Sequence, residues 1–194
     1  GCAAKGAVRM VDISDLPERR NLVELLLARA DARGDAPFLW AKQGGGWQPI
    51  SWAEAVRQVC CLAESLRALG LKDGDRVMLV SENRPQWCIA DFAIMAAGCI
   101  TVPAYVTNTE RDHLHILEDS GAAAVIVAND KLAKPLLGAV LRSGHAKHVI
   151  GIEPLEGWNR YVVSLPLAST SVIVATAAER EPAVPVSSTR CTGF

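Results

Sequence analysis

The side chains in this sequence that could do chemistry are few. His113 and His115 lie two residues apart in a stretch with helical spacing. Positions i and i+2 of a helix point in different directions, so the pair cannot share a metal ion, and both read as solvated helix histidines. His145 and His148 flank the entry to an apolar run, with no cysteine or carboxylate partner at metal-ligand spacing, and read as surface residues. Glu118-Asp119 stands at a helix end, where solvation explains it better than general acid–base work. Gln43-Gly44-Gly45-Gly46 could cradle a phosphate only in a strand-then-helix setting with a following Lys-Ser/Thr. It has neither, and reads as a hairpin turn. Lys72-Asp73-Gly74-Asp75-Arg76 reads as a solvated turn. Gly-x-Ser-x-Gly, Gly-x-Gly-x-x-Gly and the Gly-x-x-x-x-Gly-Lys-Ser/Thr loop are missing from the sequence. Read by themselves, the residues offer no catalytic, cofactor-binding or metal site.

Six cysteines, Cys2, Cys60, Cys61, Cys88, Cys99 and Cys191, form no Cys-x-x-Cys pair. Three of them fall in apolar helix or strand patterns, so they read as buried reduced thiols and suggest a cytoplasmic protein. The chain has 194 residues, half of them hydrophobic and 21% charged, with a net charge of −1. That balance is globular and gives nucleic acid no basic surface to meet. The longest apolar stretch, Cys88 to Val106, is broken by Asp91, Gly98 and Pro103, so no transmembrane segment is expected. No basic segment followed by an apolar one opens the chain, so no secretory signal is expected either.

The elements that must carry these residues are easier to read. Asn21 caps an amphipathic helix that Gly34 ends, with Leu22, Leu25, Leu26 and Arg29 at helical spacing. Phe38 to Ala41 and Trp47 to Ile50 form two short strands about the glycine turn. Ser51 and Glu54 make a capping box for a helix to Leu69, which Gly70 stops. Val77 to Val80 is a buried strand. Pro85 then opens an apolar helix to Ala97, Gly98 ends it, and Ile100 to Pro103 is the next strand. Thr109 with Asp112 caps a helix that Gly121 ends. The run Ala122 to Ala128 has the texture of a parallel strand covered on both faces. Lys131 to Arg142 predicts a helix despite Pro135, and His148 to Ile152 one more strand. Helices alternating with short buried strands predict an α/β fold, a right-handed parallel βαβ sheet flanked by helices. From Ala168 to Phe194 the periodicity fades into an irregular tail.

Taken in order, the motifs resemble the N-terminal part of the adenylate-forming (AMP-binding) enzymes, and most of all the bacterial long-chain fatty-acid–CoA ligases. Asn21-Leu-Val-Glu-Leu with Arg29-Ala30 and Gly34-Asp35-Ala36-Pro37 is similar to that family's opening helix and first loop. Trp47-Gln-Pro-Ile-Ser51-Trp52-Ala-Glu54, Leu66-Arg-Ala-Leu-Gly70-Leu, Gly74-Asp75-Arg76-Val77 and Asn83-Arg-Pro85-Gln-Trp87 match the following blocks. Ala97-Gly98 with Val102-Pro103-Ala-Tyr105-Val-Thr107 is similar to the long-chain branch, and Leu117-Glu-Asp119-Ser120-Gly121-Ala122 closes the series of motifs, the resemblance as a whole covering roughly residues 20–155.

The resemblance implies a parent enzyme that uses ATP and Mg²⁺ to turn a fatty acid into an acyl-adenylate, which coenzyme A then attacks. A carboxylate is a poor electrophile, and esterification to AMP supplies a leaving group. In the family the working residues lie further along. They are a Tyr-Thr-Ser-Gly-Thr-x-Gly phosphate loop, a Tyr-Gly-x-Thr-Glu block, an adenosine-binding Asp and a lysine on a mobile C-terminal domain. None occurs here, so no catalytic, cofactor-binding or metal residue is carried over. The expectation is an incomplete N-terminal subdomain of the acyl-CoA synthetase-like fold over 20–165, an extension over 1–19 and a tail over 166–194. No cofactor is expected on the fragment itself. A stand-alone α/β ligand- or partner-binding module is the alternative. Val186-Ser-Ser-Thr-Arg190 can be encoded so that a shifted frame reads Leu-Ile-Tyr-Thr, the usual opening of the phosphate loop, which places a frame slip after about Glu181.

Overall fold

A computed structural model of the chain describes residues 21–155 in full and the backbone of 162–167 and 170–176. The predicted 1–19 extension, Cys2, Cys191 and residues 177–194 lie outside the described residues.

The described residues open with a helix and then a hairpin. α1 (Leu22–Arg33) starts where the Asn21 side chain accepts the Glu24 N–H and stops at Gly34, whose φ is +49°. β1 (Pro37–Gln43) and β2 (Gly46–Ser51) pair antiparallel around Gly44 and Gly45, both at positive φ, the backbone region that glycine reaches without strain. The glycine run is a hairpin turn.

The sheet follows. α2 (Trp52–Ala68) leads to β3 (Arg76–Val80), α3 (Pro85–Ala96), β4 (Ile100–Ala104), α4 (Glu110–Ser120), β5 (Ala124–Val127), α5 (Asp130–Ser143) and β6 (His148–Gly151). The strands lie in the order β4-β3-β5-β6, all parallel. Two further strands, β7 (Val162–Leu167) and β8 (Thr170–Thr176), continue the sheet on the β6 side as an antiparallel pair. The sheet is therefore mixed at one margin, and 170–176 is a strand where the sequence suggested no regular structure. A parallel sheet commonly carries an antiparallel edge of this kind.

The core is where the patterns placed it. Val77, Met78, Leu79 and Val80 of β3 and all four residues of β5 are buried, and the helices close over them with Leu66, Ile94, Leu117 and Leu136. β4 is the outer strand on the other side, and Ile100 on it is 53% exposed.

Several polar groups serve differently from their sequence reading. Ser51 accepts the Glu54 N–H, but the Glu54 carboxylate turns away to Arg57 and Gln58, so the box is half made. Those bonds, Arg57 foremost, hold its carboxyl below the usual carboxylate range. The box of Thr109 and Asp112 is complete. Arg76 is no mere turn residue. Its guanidinium donates to the Ser120 and Gly121 carbonyls at 2.8 and 3.2 Å, capping α4, whose last turn has no basic residue. Arg67 does the same for α3, donating to the Ala96 carbonyl at 3.0 Å. A cation at a helix C-terminus satisfies free carbonyls and meets the negative end of the dipole.

Candidate functional site

Ligands of parallel α/β sheets sit outside the carboxyl ends of the strands, where neighbouring strands are left by connections running to opposite sides. Here that point lies between β3 and β5, because the chain leaves β3 for β4 on one side and then crosses to β5 on the other, and the hollow at the ends of β3 and β4 lies next to it. The segment that follows β3, Ser81-Glu82-Asn83-Arg84, reaches the first turn of α3 at Pro85. With Trp87 and the Pro103-Ala104-Tyr105-Val106 end of β4 it lines a crevice of about 540 Å³.

The crevice has an apolar wall and a polar rim. Trp87 and Pro103 line it, and Tyr105 stands at its mouth, 81% exposed. Ser81 is buried, and its hydroxyl donates to the Glu82 carbonyl at 3.0 Å, so it has no base to make it a nucleophile. The Glu82 carboxylate accepts the Asn129 side-chain amide at 3.4 Å, bridging the ends of β3 and β5. Asn129 also caps α5 through the Leu132 N–H. Arg84 pairs with Glu153 at 2.5 Å, tying the entry of α3 to the segment after β6. The arrangement can bind an apolar or aromatic group and hold it by a few hydrogen bonds. A second hollow of about 440 Å³ beneath the hairpin is polar, lined by Asp35, Ser51, Glu54, Gln58 and Gln86 among others.

The sequence missed this crevice because its residues form no spaced motif. The signal was positional: a run of polar residues between the buried strand Val77–Val80 and the helix at Pro85.

The histidines are not brought together as a site. His115 and His145 are exposed, as read. His113 is 1% exposed rather than solvated, because it lies on the inner face of α4 one turn before Leu117. Burial pushes its pKa down, with Asp112 opposing. His148 is half-buried rather than superficial. Burial lowers its pKa, a hydrogen bond with the Leu69 backbone opposes this, and its Nδ1 has no partner among the described residues. Cys60, Cys61, Cys88 and Cys99 form no disulfide with one another, and burial raises the pKa of Cys88 and Cys99. Cys99 alone of the four is fully buried. Glu118 and Asp119 are exposed, as read. Among the described residues no three His, Cys, Asp or Glu side chains gather to hold a metal ion. No helix among them is long and apolar enough to cross a membrane.

Comparison with known proteins places this scaffold. The profile of the AMP-binding enzyme family matches residues 26–183. Long-chain-fatty-acid–CoA ligase FadD15 of Mycobacterium tuberculosis is 39% identical over 89 residues, 46% of this chain and 15% of the ligase. A mitochondrial acyl-coenzyme A synthetase of Mus musculus is 26% identical over 170 residues, 81% of this chain and 29% of that protein. The chain thus spans less than a third of the length of these relatives. Among solved structures, a fatty acyl CoA synthetase of Mycobacterium tuberculosis superposes with a TM-score of 0.59 at 26% identity, covering 68% of this chain and 26% of that one. An anthranilate CoA ligase in complex with anthranoyl-AMP shares the fold, with a TM-score of 0.65 at 21% identity over 76% of this chain and 28% of that one. With the family's profile running through most of its length and its α/β sheet in place, this chain belongs to the AMP-binding enzymes.

Proposed function

We propose that these residues are the N-terminal section of a long-chain fatty-acid–CoA ligase. The parent couples a fatty acid to AMP at the expense of ATP, with Mg²⁺, and passes the acyl group to the thiol of coenzyme A. The observation that carries the reading is the 39% identity with the mycobacterial long-chain ligase, added to the family match. Cysteines that form no Cys-x-x-Cys pair suit a cytoplasmic setting for the parent.

The section contributes scaffold rather than chemistry. The described residues do not fit ATP and Mg²⁺. The Glu82 and Glu153 carboxylates at the strand ends are already engaged by Asn129 and Arg84, and the glycine run joins two antiparallel strands instead of opening a helix. No step of adenylation passes through them. The 194 residues alone therefore neither bind ATP measurably nor form a thioester.

Two measurements test this. Isothermal titration of the purified chain with Mg²⁺-ATP gives no heat of binding; micromolar affinity would overturn the claim and favour the stand-alone ligand-binding module. Grafted in place of the matching 89 residues of the mycobacterial ligase, this chain's segment supports palmitoyl-CoA formation. A folded but inactive graft counts against the long-chain assignment. The family match ends two residues beyond Glu181, which supports a slip of frame near that point. The encoding DNA decides it: if no other frame continues with the family's phosphate loop, there was no slip.

A further inference from the structure

The helices α1, α2, α4 and α5 each start on a side chain that accepts a backbone N–H of the first turn: Asn21, Ser51, Thr109 and Asn129. α3 starts otherwise. Its N-cap is Arg84, whose side chain makes no such bond, and Pro85 follows at the first helical position. Yet the first turn of α3 carries Trp87, the aromatic wall of the crevice. Core packing supports the indole from behind. The turn that bears it is held from a distance. The Arg84 guanidinium donates through Nη1 to the Glu153 carboxylate at 2.5 Å and through Nε to the Gln86 side-chain oxygen at 3.0 Å.

Glu153 is a firm post for this bond. Its N–H donates to the Ala128 carbonyl at 3.0 Å, and the Ile152 N–H donates to the Val127 carbonyl at 2.8 Å. Ile152 and Leu155 are buried beside it. Gly151 leaves no room for a side chain, since a Cβ there would stand 2.6 Å from the Glu153 carbonyl oxygen. Backbone bonds and packing therefore set the hook that follows β6, and a carboxylate on it can fix the place of whatever it binds. We propose that Arg84 and Glu153 are a positioning pair for the crevice. By bracing the first turn of α3 against that hook, they set how far Trp87 stands from Pro103 and Tyr105. That gap decides the thickness of the apolar or aromatic group that can enter. The brace runs from the end of β3 past β5 to the end of β6, three neighbouring strands. The bond from Glu82 to Asn129 lies on the same side but, at 3.4 Å between uncharged and charged partners, is the longer and weaker tie. Both residues act through Trp87, so neither is catalytic. The inference rests on the crevice as a site and stands apart from the ligase reading.

The test uses the complete 194-residue chain labelled with 5-fluorotryptophan, with W87F assigning the Trp87 resonance. E153Q and R84Q each move that resonance and leave the other fluorotryptophan signals in place. Each also speeds amide exchange at Ile89 about two- to fivefold, the scale expected for an ion pair that is partly in water. R84Q/E153Q does no more than either change alone, because the same interaction is lost in all three. R84K falls between, keeping a charge for Glu153 without the guanidinium's second arm. E110Q breaks the pair between Glu110 and Arg142, at the contact of α4 with α5, and leaves Trp87 where it was. Circular dichroism and the urea midpoint confirm that each variant is folded; E153Q alters a partly exposed side chain and leaves the buried hook intact. An unmoved Trp87 resonance in folded E153Q would overturn the proposal, as would single effects that add in the double variant. An equal displacement of Trp87 by E110Q would also overturn it, since loosening at any ion pair would then suffice.

Discussion

In β5 four consecutive residues, Ala124–Val127, are buried, while in β2 four of six, Gly46 to Pro49, are exposed. Both are short strands beside a helix. The difference lies in what covers them. β5 sits between β3 and β6 with helices packed over the sheet, so each side chain meets apolar neighbours. The hairpin has two strands, one covered face and one open one. A continuous apolar run marks the first environment and a mixed run the second. The sheet holds the fold together, and the hairpin presents a surface.

That contrast can be broken at measured points. The largest effect belongs to the core: Leu66→Ala, at a fully buried position, lowers stability by about 2–5 kcal/mol in urea unfolding. A loss under 1 kcal/mol would mean that α2 does not close over the sheet as described. Next comes Arg76→Ala, which frees the carbonyls of Ser120 and Gly121 and costs about 1.5–3 kcal/mol. Arg76→Lys restores only part, since an ammonium lacks the guanidinium's fork.

A pH scan sharpens the comparison within the sheet unit. His113 and His148 both have pKa values lowered by burial, so the unfolded chain takes up protons first. Their neutral forms are fully compatible with folding above about pH 6.5, and stability declines as pH falls below that value. His113→Leu flattens the slope between about pH 6.5 and 5; an unchanged slope would show that this histidine is not buried. The smallest effect is at the hairpin, where Trp47→Gln changes the unfolding free energy measured in urea by less than about 0.5 kcal/mol, although the residue is one of the largest in the chain.

Local codes were legible. Asn21, Thr109 with Asp112, Pro85, Gly34 and Gly121 start or stop helices as their types predict, because each acts on backbone within a few residues of itself. The parallel core followed from continuous apolar runs for the same reason. Less legible was every polar group whose partner is distant in sequence. Arg76 meets Ser120 44 residues away, Arg84 meets Glu153 69 residues away, and Asn129 meets Glu82 47 residues away. Two of these meetings, Glu82 with Asn129 and Arg84 with Glu153, lie beside the crevice at the carboxyl ends of the strands, while Arg76 acts at the opposite end of β3. The Glu54 carboxylate had a local assignment and still went elsewhere, since Arg57 offers it a charge that a neutral backbone N–H lacks.

The sequence by itself determined where elements begin and end, which strands are sheathed on both sides, and which family the chain resembles. Each of those depends on side-chain type and short-range spacing. Only the tertiary structure decided which strand lies beside which, that His113 turns inward, and that two arginines close helices they do not belong to. These depend on contacts across tens of residues, which no local pattern encodes. Strand order also fixed the crevice, because it set which carboxyl ends are neighbours.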